Sequence, residues 1–101
     1  MIIPKKFRLA GRVIRVRYDE RLAHRDSMSG CAEYRYDRIL LQPSTKSQPR
    51  TPSSIGDTFC HELVHWILHM IGEDELNDNE RFVKSFSGLL HQYLITKKGK
   101  K

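Results

Sequence analysis

Residues 61–65 read His61-Glu62-Leu63-Val64-His65, and this pentapeptide constrains the chain more than any other stretch of it. On an α-helix, positions i and i+4 lie on one face, one turn apart. Two imidazoles so placed can grip a single divalent ion, and zinc is the ion they suit best. Glu62 then sits beside the metal rather than on it, where it can take a proton from a metal-activated water. The motif carries this meaning only if the segment is helical and a third ligand is at hand.

The flanks supply the helix. Residues 43–54 are rich in Pro, Ser and Thr, with Pro43, Pro49 and Pro52 close together, and read as a loop. Ser54 is a candidate N-cap, and Asp57 three residues on can complete a capping box. From about Ile55 to Ile71, Ile55, Phe59, Leu63, Trp66, Ile67 and Met70 recur at three- and four-residue spacing as a core stripe. His61, Glu62, His65 and His69 occupy another side, and Gly72 stops the helix. An acidic turn follows at 73–79, with Asn77 or Asp78 as a cap. A second helix runs from about Asn79 to Ile95, with Phe82, Val83, Phe86, Leu89, Leu90, Tyr93 and Leu94 as its apolar side. Residues 96–101 form a basic tail.

Catalytic zinc usually has three protein ligands and one open position. His69 cannot join His61 and His65, because three residues stacked i, i+4, i+8 do not converge on one ion. Glu73 and Glu75 lie in the turn, where a ligand is placed less firmly. Glu80 stands in the first turn of the second helix, and a short helical hairpin returns that turn to His65. Glu80 is therefore the expected third ligand. His91 lies roughly 16 Å further along by helical rise and reads as a surface or partly buried residue.

The 101 residues suffice for one small domain. Gly11 suggests a turn between two short strands in 7–18, and Gly30 opens a second β region in which Tyr34, Tyr36, Ile39 and Leu41 favour strands around a bend near Asp37 and Arg38. Residues 19–29 read as a loop, or a short irregular helix around Glu20–His24. The expected class is α+β: an antiparallel sheet of three to four strands within 1–42, then two helices. No apolar run approaches the length of a membrane span, and the N-terminus lacks the order of a signal peptide, so a cytoplasmic location is expected.

Cys31 and Cys60 are too few for a disulfide scaffold. Both read as packed thiols, with Cys60 turned away from the metal face; a Cys31 thiolate reaching the zinc is the sharper alternative. The net charge of +6 is uneven: residues 1–50 carry 12 Lys and Arg against 5 acids, and residues 51–101 carry 6 against 7. The basic half could meet nucleic acid or an acidic partner. Solvated strand arginines at Arg12, Arg15 and Arg17 are the simpler reading, because no aromatic-interleaved basic stripe is visible in the sequence.

The pentapeptide followed by Asn79-Glu80 resembles the gluzincin clan of metallopeptidases, whose third ligand is the glutamate of an Asn-Glu pair on a following helix. The chain is similar, more closely, to short phage and bacterial zincin-like proteins near the ImmA/IrrE group. The likeness rests on Ile3-Pro4-Lys5-Lys6, on Tyr34, Tyr36 and Asp37 before the helix, on Leu76-Asn77-Asp78-Asn79-Glu80, and on Leu90-His91-Gln92-Tyr93-Leu94 near the end. It implies a minimal zincin-like domain over residues 1–101. It also implies one Zn²⁺ per chain on His61, His65 and Glu80, with Glu62 catalytic, and a bacterial or phage setting with a regulatory protein as substrate.

The chain departs from that pattern in two places. Many gluzincins carry an aspartate one turn after the ligand glutamate to orient a zinc histidine, and here Lys84 stands there. No residue is obviously placed as oxyanion stabiliser; Tyr34, Tyr36 and His91 are candidates.

Two functions follow as expectations. One is a zinc metalloendopeptidase binding an extended peptide along the strand around Tyr34–Leu41. The other is a basic nucleic-acid- or protein-binding module with a structural or vestigial zinc site.

Overall fold

The structure is a computed structural model that describes residues 1–23 and 28–99. The expected helix at Glu20–His24 falls partly outside these residues, as do the last two lysines of the tail.

β1 (Lys6–Leu9) and β2 (Arg12–Tyr18) form a hairpin with Leu9 opposite Arg12. Its two-residue turn, Ala10-Gly11, places both residues at positive φ, 49° and 81°, the backbone twist that a tight hairpin favours. β3 (Gly30–Glu33) leads through a single 3₁₀ turn at Tyr34–Tyr36 into β4 (Arg38–Leu41). Asp37, at φ 53°, is the left-handed residue that reverses the chain. The expected strand character of Tyr34 and Tyr36 is thus replaced by a turn.

The strand order is β1-β2-β4-β3. The β3–β4 hairpin docks with β4 against β2, so that pair is parallel while the other two are antiparallel. The α+β class and the four strands match the sequence reading; the all-antiparallel sheet does not. Its cause is the long connection after Tyr18, which carries the chain back to start the second hairpin at the outer edge.

α1 (Pro52–Met70) starts earlier than the Ile55 expected. Thr51 rather than Ser54 is the N-cap: its Oγ1 accepts from the Ser54 N–H at 3.0 Å. Pro52 is tolerated because the first helical residue has no intrahelical N–H bond to lose. Asp57 therefore completes no capping box. Arg50 ties the preceding loop down, donating to the Gln42 carbonyl at 2.7 Å, to Thr58 Oγ1 at 2.7 Å and to Ser54 Oγ at 3.2 Å. Gly72, at φ 75°, follows the helix end. A single-turn helix, α2 (Asp74–Asn77), occupies the expected acidic turn. α3 (Glu80–Thr96) begins after Asn79, whose side chain accepts from the Phe82 N–H at 3.0 Å; the cap is Asn79, not Asn77 or Asp78.

One face of the sheet lies on α1. Ile14, Ile39 and Leu41 from the strands meet Phe59, Cys60 and Trp66 from the helix, with Ile55, Leu63 and Met70 packed beside them. Trp66 Nε1 donates to the Arg38 carbonyl at 3.1 Å, so the buried indole keeps a partner. Ile67, expected in this stripe, is exposed. α3 packs on another side of α1 through Val64, Leu68 and Val83.

The expected apolar side of α3 is corrected. Phe86, Leu89 and Tyr93 are 51%, 69% and 62% exposed. The residues fully buried along α3 are Val83, Ser87 and His91, one stripe at i, i+4, i+8; of the expected set, Val83 is buried and Phe82, Leu90 and Leu94 are partly buried against the cores. Seven apolar positions wrap too much of the circumference for one neighbour to cover. Among the described residues no helix is long and apolar enough to cross a membrane.

Candidate metal centre

α1 presents His61 and His65 one turn apart, with ring centroids 4.9 Å from each other. The α1–α2–α3 connection returns Glu80 to them. One carboxylate oxygen lies 3.2 Å from His61 Nε2, and the other lies 3.1 Å from His65 Nε2. Among the described residues these three are the group of His, Cys, Asp and Glu whose donor atoms converge, all within 4.8 Å.

The donor set fits zinc. Ligand atoms about 2.0–2.1 Å from a tetrahedral ion stand roughly 3.3 Å apart; here, with one donor atom per residue, all three lie within 4.8 Å, and each imidazole nitrogen has its own Glu80 oxygen at 3.1–3.2 Å. The three residues expected as ligands are therefore brought together. His69 is elsewhere: its ring stacks on Tyr34 at 3.9 Å and 3°. Cys60 is buried in the core, where burial above all pushes its thiol up to about 11. Neither Cys31 nor any acid of the 73–78 turn belongs to the converging group.

Asn77 is the residue that sequence reasoning missed. Its Oδ1 lies 2.6 Å from His65 Nδ1, and its Nδ2 donates to the Tyr34 hydroxyl at 3.0 Å. With Oδ1 accepting, the Nδ1 proton is held on that side and the Nε2 lone pair faces Glu80 and the ligand position. The Tyr34 hydroxyl donates onward to the His65 carbonyl at 3.4 Å. The partner of His65 Nδ1 is thus Asn77, at the end of α2, and not a residue one turn after Glu80, where Lys84 stands. Only its place in the Leu76–Glu80 run hinted at it.

Glu62 is 7% exposed. Burial raises its carboxyl to about 7; His65 and a hydrogen bond from the Ala32 backbone pull the other way, and the Glu80 charge adds to the rise. The Ala32 contact ties Glu62 to β3. Gly30 permits this closeness, since a Cβ there would stand 2.6 Å from Thr58 Cγ2 and 3.1 Å from Glu62 Cγ.

An open cavity holds these groups, with Gly30, Ala32 and Tyr34 on one side and His61, Glu62, His65 and Glu80 on the other. The strand at its edge is β3, Gly30–Glu33, because β4 lies inside the sheet. This corrects the expected peptide-binding strand at Tyr34–Leu41. Of the three oxyanion candidates, only Tyr34 lines the cavity; burial, above its other influences, raises its hydroxyl pKa, so it keeps its proton at neutral pH. Tyr36 is exposed beside Arg38. His91 is buried, not at the surface: it abuts Gly56, with Nδ1 3.7 Å from Asp57 Oδ1.

No family model, no curated protein and no solved structure matches this chain.

Proposed function

We propose that this chain is a zinc-dependent metalloendopeptidase, with His61, His65 and Glu80 as zinc ligands and Glu62 as the general base. The observation that carries the reading is the convergence of two Nε2 atoms and one carboxylate beside a buried glutamate held by the Ala32 backbone. Bound there, zinc would supply Lewis-acid activation of water and of a carbonyl. The chain's own residues account for the rest. Glu62 takes a proton and delivers it to the leaving amine. Asn77 fixes the His65 tautomer. β3 offers its outer edge to an extended peptide, and Tyr34 supplies a hydroxyl on the cavity wall.

The Glu80 side chain is 66% exposed, and the cavity is open. This favours an accessible centre over a sealed structural one. The resemblance to short phage and bacterial zincin-like proteins points the same way and suggests a regulatory protein as substrate.

The test is zinc content per chain in the parent and in Glu80→Ala, followed by digestion of a peptide library. About one zinc in the parent, weaker binding in Glu80→Ala, and a Glu62→Gln variant that keeps its metal but cleaves nothing are expected. No zinc after stoichiometric addition, or full cleavage by Glu62→Gln, overturns the reading.

A further inference from the structure

The sheet face turned away from α1 carries a charge arrangement that folding does not explain. In register across three strands, Lys6 stands opposite Arg15 and Arg15 opposite Arg38. These side chains alternate with Ile14 and Ile39, which enter the core, so all three point to the outer face. Like charges directly opposite each other in a sheet are destabilising. Arg8 and Arg17 extend the same face one pleat further in each direction. Among the described residues, Arg38 pairs with Glu33, while Lys6, Arg8, Arg15 and Arg17 make no ion pair.

An exposed aromatic ring stands beside these cations. Tyr36 is 60% exposed, with the Arg38 guanidinium 4.9 Å from its ring centre and that of Arg35 at 6.0 Å. Tyr18, 53% exposed, is the last residue of β2 and by alternation belongs to the α1 side of the sheet, at its margin. It and Arg17 are shared by two adjoining depressions, one reaching Lys5 and Arg15, the other Arg21 and Arg38. Among the described residues, the acids along this path include Asp19, Glu20, Glu33 and Asp37; Asp19 pairs with Arg21 and Asp37 with Arg12.

We infer that this outer sheet face is a binding surface for single-stranded nucleic acid. A sheet face carrying exposed arginines beside the buried Leu40 matches phosphates, which guanidinium grips in bidentate fashion. Tyr36, exposed among them, offers a stacking platform to an unpaired base. An anion laid across Lys6, Arg15 and Arg38 relieves the repulsion in that row. The face lies on the opposite side of the sheet from α1, so binding there does not depend on the metal centre.

The test is fluorescence anisotropy of a labelled single-stranded oligonucleotide of mixed sequence with the full chain, across roughly 50–200 mM salt. Binding that weakens steeply with salt is expected. The double variant Arg15→Gln, Arg17→Gln should lose about tenfold or more in affinity and flatten the salt slope by roughly 1 to 2. Tyr36→Ala should weaken binding with the slope unchanged. Both should melt no lower than the parent, since the residues are exposed. Lys97→Gln with Lys98→Gln, in the tail, should bind like the parent. No binding at the lowest salt, equal losses from tail and sheet variants, or displacement by polyglutamate or anionic vesicles as readily as by unlabelled oligonucleotide overturns the proposal. The last result would assign the face to an acidic protein or a membrane instead.

Discussion

Asn77 Oδ1 lies 2.6 Å from His65 Nδ1, while the Asn77 amide donates to Tyr34. One side chain thus joins the metal-facing helix to the end of β3. Asn77→Ala is expected to weaken zinc binding about 10–100-fold, the usual consequence of losing a partner that orients a ligand histidine. Tyr34→Phe leaves Asn77 in place and should have a smaller effect. Competition titration with a zinc chelator checks both; unchanged affinity in Asn77→Ala would remove it from the centre.

Gly30 is where the sheet comes closest to α1. A methyl group there meets Thr58 Cγ2 at 2.6 Å and the Leu40 carbonyl at 3.2 Å. Thr58 cannot simply rotate away, because its Oγ1 is held by Arg50 and by the Ser54 carbonyl. Gly30→Ala should therefore destabilise the fold by about 1–3 kcal/mol and loosen the Ala32–Glu62 contact. Denaturant unfolding measures the first, and catalytic rate at unchanged zinc content reads the second.

The metal-free protein should show an unusual pH dependence. The Glu62 carboxyl is raised in the folded state, to about 7 from an ordinary value of 4.5. The folded chain then holds this proton more tightly than the unfolded chain. The Glu62 contribution is best below about pH 4.5 and declines as pH climbs through about 7. Glu62→Gln abolishes that decline. Chelated parent and variant, unfolded in denaturant at about pH 5 and about pH 8, should differ more at the higher pH, with the variant the more stable. An equal difference at both pH values would contradict the assignment.

Two residues on α3, three positions apart, should respond in opposite ways. Val83 is wholly buried between the helices, and Phe86 is half-exposed. Val83→Ala should cost about 2 kcal/mol, whereas Phe86→Ser should stay within about 0.5 kcal/mol. Thermal melts of the two variants decide this; a large loss from Phe86→Ser would mean that the exposed stripe is covered in solution.

The legibility of the site follows from distance along the chain. His61, Glu62 and His65 belong to one helix, and helical periodicity alone places them on neighbouring faces. Glu80 was accessible because a short connection between two helices leaves few ways to return. Both inferences rest on local rules that hold whatever the rest of the chain does.

Asn77, Gly30 and the outer sheet face depended on contacts between distant segments. Nothing local shows that residue 77 meets residue 34, or that β4 lies between β2 and β3, with Arg38 beside Arg15. The same holds for α3, whose apolar positions outnumber what one neighbour can bury. Patterning along the sequence determined which elements form and which residues share a helix face, because backbone geometry repeats over a few residues. Strand order, the buried stripe of α3 and the partner of His65 were decided only in the tertiary structure, because each depends on which surfaces compete successfully for a limited core.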